Sequence, residues 1–350
     1  MPEQSGDIEV GITSQPVHTF PMRELLIIQT SPLGDIVHSL RLVAALRAQQ
    51  PDWRVSWIVQ DIFAPLVRAS TVVDQILVFR RFGGVGSFLA LMREVRQRKY
   101  DVVLDLQGLL RSGLMLKWAR AHRKIGRSDP REWAGWLYEE KAPLPPGGPQ
   151  SHLMDILLQF CPPLNARPEL AAPLQFRSME QLNLGFMQPL RGLQPVLLFP
   201  DSRRERTKWG GFAPLTALLI REMGRKVVWA GSKYLPCRES LPDGTFVNLT
   251  GNTSLVSLTA LINRADWVIS NDSGAMHLAT ALGVKTIGIF GPTDSQRYGP
   301  YPLNSPTNHV IKAPLGDLHL LAVKDVLERF RRIEAVSRGG TYQSVAPFAR

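Results

Sequence analysis

Two short segments place a glycine beside a carboxylate where an apolar run gives way to a helix-like pattern. Ser31-Pro32-Leu33-Gly34-Asp35-Ile36-Val37-His38 follows Leu25-Leu26-Ile27-Ile28, and Asp272-Ser273-Gly274-Ala275-Met276-His277 follows Trp267-Val268-Ile269. A carboxylate at such a turn can take the proton of an attacking hydroxyl, which makes Asp35 a candidate general base. The same position suits a helix N-cap, so spacing alone leaves both roles open. Gly34 permits a tight turn. In the second segment, Ser273 and Gly274 leave backbone N–H groups free at a helix start, an arrangement suited to a diphosphate. Asp272 and His277 would flank that anion, although His277 alone reads equally as a packed helix residue. A third segment, Ser202-Arg203-Arg204-Glu205-Arg206-Thr207-Lys208, is a basic loop after the run Val196–Phe199. It suits phosphate, or else is a solvated charged loop.

The first turn lacks the GxGxxG spacing, so a nicotinamide cofactor is not expected. No Asp-x-Asp motif precedes these loops. Cys161 and Cys237 lie far apart, outside any metal-ligand spacing. Neither a metal, a disulfide nor another cofactor is expected, and the cysteine usage suits a reducing cytoplasm.

The elements that must position these groups alternate along the chain. Apolar runs at 25–28, 55–59, 76–79 and 102–104 are separated by helical patterns at about 35–50 and 88–98. Runs apolar at every position are what parallel strands covered on both faces require. The pattern breaks at the Pro-rich stretches 141–149 and 161–173, around a helix expected near 151–160, and resumes at 196–199. Further strands are expected at 227–230, 267–269 and 286–290, with helices at about 213–223 and 320–332. The last helix is assignable to either half. The reading is α/β, two doubly wound Rossmann-like domains joined near 165–190. We place an N-terminal extension at 1–22, the first domain at 23–175, the second at 176–335 and a tail at 336–350. No internal repeat shows in the residues themselves.

Composition narrows the class. The chain has 350 residues, 44% hydrophobic and 20% charged, as in a globular protein. No stretch reaches the roughly 18 apolar residues of a membrane span, and Met1 to Phe20 does not read as a secretory signal. The net charge is +11, and 13 basic residues fall between Arg80 and Arg131 against four acidic ones. Such a field would attract anionic lipid or acidic sugar. The aromatic spacing of a single-strand binder is missing, so no nucleic-acid partner is expected.

Taken together, these segments resemble the bacterial lipopolysaccharide heptosyltransferases, glycosyltransferase family 9. The resemblance rests on Ser31 to His38, on Asp272 to His277, on Phe290-Gly291-Pro292-Thr293-Asp294, on Lys208-Trp209 and on Asp105-Leu106-Gln107-Gly108. It departs from the family pattern at Arg41, where proline is common, at Asp201, where glycine is usual, and in lacking the C-terminal cysteines of some members. The resemblance implies a GT-B fold with the reaction in the cleft between the domains. It implies inverting transfer of heptose from ADP-heptose to the Kdo or heptose of a lipopolysaccharide inner core. Asp35 would then be the catalytic base. Ser202, Arg203, Lys208, Gly231, Thr253, Asp272, Ser273, Gly274 and His277 would bind the donor, and Arg80, Arg81 and Arg131 the anionic acceptor. A monomer at the inner face of the cytoplasmic membrane is expected. The alternatives are a GT-B transferase or epimerase for another NDP-sugar, or a non-catalytic binder of the same fold.

Overall fold

The computed structural model describes residues 22–177, 194–337 and 339. The expected N-terminal extension (all but residue 22), part of the join at 165–190 and most of the tail lie outside them. The first half forms a parallel sheet from β1 (Arg23–Ile28), β2 (Trp53–Gln60), β3 (Gln75–Phe79), β4 (Tyr100–Asp105), β5 (Ala121–Gly126) and the short β6 (Glu140–Lys141). Its helices are α1 (Leu33–Gln49), α2 (Ala64–Ala69), α3 (Gly84–Arg96), α4 (Leu110–Trp118) and α5 (Leu153–Leu158). The second half repeats the plan with β7 (Val196–Phe199), β8 (Val227–Gly231), β9 (Phe246–Thr250), β10 (Trp267–Asn271), β11 (Lys285–Phe290) and β12 (Asn308–Lys312). Its helices are α6 (Phe212–Met223), α7 (Leu255–Asn263), α8 (Gly274–Ala281), α9 (Ser295–Tyr298) and α10 (Val323–Ser337).

The strand orders are β3-β2-β1-β4-β5-β6 and β12-β11-β10-β7-β8-β9. Counted from the first strand of each half, both are the doubly wound order 3-2-1-4-5-6. A repeat invisible in the residues is therefore complete in the topology. In such sheets the crevice for ligand opens where the order reverses, here between β1 and β4 and between β7 and β10.

The central strands β1 and β7 are apolar and buried because helices cover both faces. β9 and β12 are sheet edges and β5 starts in polar residues, so none carries an unbroken apolar run. One apolar core runs continuously from the first sheet into the second, through Ile36, Val37 and Leu40 of α1 and Leu278, Ala279 and Ala281 of α8. The ambiguous last helix resolves: Val326, Leu327 and Phe330 of α10 pack in the core of the second sheet with Leu215 and Leu219 of α6.

Candidate active site

The turn after β1 is held by groups from the turn after β4. The Gln107 side-chain oxygen accepts from the Thr30 N–H (2.9 Å), the Thr30 hydroxyl (2.9 Å) and the Ser31 N–H (3.1 Å). Its amide nitrogen donates to the Ser31 carbonyl at 2.7 Å. Gln107 is itself placed by Asp105, fully buried, which accepts from the Gln107 and Gly108 N–H groups, the Ser112 hydroxyl and the Tyr138 hydroxyl. Burial pushes the Asp105 carboxyl up, and these four bonds oppose the rise.

That turn delivers Asp35. Helix α1 starts at Leu33, its N-cap is Pro32 without a side-chain cap, and Asp35 lies in its first turn. Asp35 is therefore not the cap. Burial pushes its carboxyl up to about 6, against the lowering effect of the Arg127 and Arg131 guanidiniums facing it. A carboxylate with that value accepts a proton well yet is mostly ionised at neutral pH.

The second crevice is assembled from the turns after β7 and β10. The Trp209 N–H donates to the Asn271 side-chain oxygen at 3.0 Å, and the Asn271 amide donates to the Pro200 carbonyl at 3.0 Å. Buried Asn271 thus ties the basic loop to the start of α8. In that loop the Ser202 hydroxyl bonds Thr207 at 2.6 Å, Arg203 is exposed, and Lys208 lies 3.9 Å from the solvated Glu205. Ser273 caps α8 by position without a side-chain cap bond, its hydroxyl instead meeting Ser270 at 3.0 Å. The first-turn N–H groups of α8 are thus left for an incoming acceptor. Burial raises the Asp272 carboxyl, while a hydrogen bond from Thr293 and the charge of Arg204 lower it. Gly231 ends β8 with its α-carbon beside Asp201, its carbonyl accepts from the Gly251 N–H at 2.8 Å, and half-buried Thr253 follows in the adjoining turn.

The two crevices meet edge to edge. A Cβ on Gly34 would lie 2.8 Å from the His277 ring, and one on Gly274 would lie 2.8 Å from the Leu33 side chain. Gly34 is helical, so close approach across the seam is what demands glycine there, in place of the tight turn expected from sequence. His277 packs on His38, ring centroids 4.4 Å apart. Burial drives both imidazoles to the neutral form, that of His277 down to about 3.

Arg80 and Arg81 follow β3, and Arg131 follows β5, its N–H donating to the Gly108 carbonyl at 2.8 Å. All three are exposed and none has a carboxylate within ion-pair distance among the described residues. Exposed Phe82, Trp133 and Trp136 share this edge of the sheet. The basic stretch does not form one field, however. Arg80, Arg81, Arg111, Arg127 and Arg131 lie at the carboxyl edge of the strands. Arg96 and Arg120 lie at the opposite edge, and Arg123 and Lys124 sit within β5, where Arg123 meets Glu140 at 2.5 Å. Lys117, near the end of α4, is paired with Glu139 at 3.3 Å.

Asp105, Gln107, Arg127 and Asn271 hold the turns of the candidate site and are not among the residues that the sequence pattern singles out for it. Asp105, Gln107 and Asn271 each stand at or just past a strand end beside a named turn, which is the signal that marks them.

Among the described residues no three His, Cys, Asp or Glu side chains gather as a metal site, and no helix is long and apolar enough to cross a membrane.

Comparison with known proteins agrees with the fold. The lipopolysaccharide core heptosyltransferase OpsX of Haemophilus influenzae is 26% identical over 300 residues, 82% of this chain and 84% of that one. Lipopolysaccharide heptosyltransferase 1 of Escherichia coli K12 is 24% identical over 323 residues, 87% and 98% of the two chains. The solved structure of E. coli heptosyltransferase WaaC with ADP superposes with a TM-score of 0.73 at 21% identity, covering 89% of this chain and 99% of that one. The family model for glycosyltransferase family 9 (heptosyltransferase) matches residues 88–320, and the chain belongs to that family.

Proposed function

We propose that this protein transfers a heptose from ADP-heptose to the Kdo or heptose of a lipopolysaccharide inner core, inverting the anomeric carbon in one displacement. The observation that carries the reading is the contact of the two crevices, Gly34 on His277 and Gly274 on Leu33, which sets the first turn of α1, the turn that carries Asp35, against α8. The relatives' names supply the donor and acceptor class.

In this reading the Asp35 carboxylate accepts the proton of the attacking acceptor hydroxyl. The hydroxyl oxygen bonds the anomeric carbon as the bond to the diphosphate oxygen breaks. Charge accumulating on the leaving ADP is met by Lys208, Ser202, Arg203 and the N–H groups of Ser273 and Gly274. Asp272 accepts from sugar hydroxyls, and Gly231 and Thr253 border the nucleoside. His277 acts from the seam, setting how closely α8 approaches α1. The acceptor lies on the first domain, its anionic groups on Arg80, Arg81 and Arg131, with the exposed rings beside them turned to the membrane surface that carries it. Association with the inner face of the cytoplasmic membrane is part of this proposal.

Calorimetric titration with ADP, UDP and GDP, followed by turnover of ADP-heptose on a Kdo-bearing lipid, tests it. ADP binding tightest, with ADP released in step with lipid glycosylation, is the expected result. Preference for UDP or GDP, or binding without turnover, would sink the assignment.

A further inference from the structure

Beyond the packing of α1 on α8, the second domain grips the first through Arg297, Gly299 and Tyr301, at the end of α9 and just after it. The Arg297 guanidinium donates to the Gln150 side-chain oxygen at 3.1 Å and to the Pro149 carbonyl, and lies 4.0 Å from Asp129. The His152 Nδ1 accepts from the Met154 N–H, so its Nε2 carries the proton and donates to the Gly299 carbonyl at 3.1 Å. Tyr301 donates its hydroxyl to Asp155 at 2.6 Å and accepts Arg41 on its carbonyl at 3.0 Å. Arg41, where the family pattern has proline, is almost wholly buried in this contact. A Cβ on Gly299 would lie too close to the Ser295 carbonyl, so the chain can leave α9 at this angle only as glycine.

Asp129 is where this grip reaches the reacting groups. It accepts two bonds from Arg127, at 2.8 Å on Oδ1 and 2.7 Å on Oδ2, the oxygen that Arg297 also approaches. Arg127 spends a further N–H on the Leu106 carbonyl (3.2 Å), and its chain lies over Gly108, where a Cβ would come within 2.9 Å. A guanidinium fixed at three points acts electrostatically on the Asp35 carboxyl. We infer that Arg297–Tyr301 is a clasp that registers the second domain on the first, and that Arg297 is a positioning residue for Asp35, acting through Asp129 and Arg127. The second half of this rests on Asp35 as the base.

The test uses the full chain with Arg297→Gln, Arg297→Lys, Asp129→Asn, the double variant Arg297→Gln/Asp129→Asn, and Tyr301→Phe. Arg297→Gln should raise amide hydrogen exchange over Leu153–Leu158 and lower kcat about tenfold, as a small misplacement of reacting groups does. ADP affinity should stay within about twofold, because positioning acts on the chemical step alone. Arg297→Lys should recover part of the rate by restoring the charge beside Asp129. Groups acting in one line are not additive, so the double variant should be no slower than Asp129→Asn alone. Tyr301→Phe loosens the clasp away from Asp129; it should raise exchange over the same helix and keep kcat within about twofold. An unchanged kcat in Arg297→Gln, multiplied losses in the double variant, or ADP affinity falling in step with rate would each overturn the positioning role. Exchange unchanged in both Arg297→Gln and Tyr301→Phe would overturn the clasp. That arm needs no turnover, so it stands apart from any failure of the heptosyl assignment.

Discussion

An amide in place of the Asp35 carboxylate keeps the side chain's size and removes its charge and basicity together. Because Asp35 is the third residue of α1 and not its cap, Asp35→Asn costs the helix little. It should lower kcat about 100-fold or more, with ADP affinity unchanged. The raised carboxyl adds a second expectation of opposite direction. Between the ordinary value of 3.8 and about 6 the folded protein binds this proton more tightly than the unfolded chain does. Stability therefore falls as pH rises through that window, and at neutral pH the ionised group costs on the order of 3 kcal/mol. Asp35→Asn should thus melt higher at pH 7 while being nearly inactive, and the gain should vanish below about pH 4. Wild-type kcat/KM should fall as pH drops through about 6; a profile flat to pH 5 would remove Asp35 as the base. For Lys208, alanine should weaken ADP binding about tenfold, the worth of one charge-assisted bond, and slow transfer as well; unchanged binding would leave it a solvated residue. Asp35 and Lys208 were legible because each follows an apolar run. Asp105 and Gln107 were visible only as letters of a motif, because their work is to hold another loop, and no spacing within one segment shows which loop that is.

The elements were legible wherever a strand is central. β1, β4, β7 and β10 carry unbroken apolar runs, and the four turns that follow them are the ones that meet in the site. β5, β9 and β12 went unread because a half-solvated strand needs no such run. The contact between α1 and α8 was beyond reach for another reason: Gly34 and Gly274 are 240 positions apart in the chain, and a glycine demanded by a neighbour looks like one demanded by a turn. Alanine at Gly34 or Gly274 should separate the two helix starts. The expected outcome is kcat reduced about 100-fold from misplacement of the reacting groups, with ADP still bound. Wild-type turnover by Gly274→Ala would show that the approach of the helices is incidental.

For the whole molecule, the shared apolar core through α1 and α8 argues that the halves melt together. Calorimetry should give one transition whose calorimetric and van't Hoff enthalpies agree, and two resolved transitions would contradict it. Reversing Arg80 and Arg81 to Glu should raise the acceptor KM and weaken binding to anionic vesicles, with ADP affinity near wild type. The effect should shrink at high salt, because long-range attraction is what has been removed. Loss of ADP affinity instead would mean that the roles of the two domains are reversed. The sequence's basic stretch foretold the cations of this edge, yet it could not show that the fold carries others, Arg96 and Arg120 among them, to the far side.

The matching strand orders carry a consequence for how such a protein can change over generations. In the proposed reading each crevice takes its own substrate, on loops that hang from buried strand ends. Drift in the loop after β3 can alter which glycan is accepted while the nucleotide loops after β7 and β8 stay as they are, and the reverse also holds. The α1–α8 seam is common to both and is the part that must be inherited intact. New pairings of donor and acceptor can therefore arise one partner at a time, each intermediate still possessing a working half.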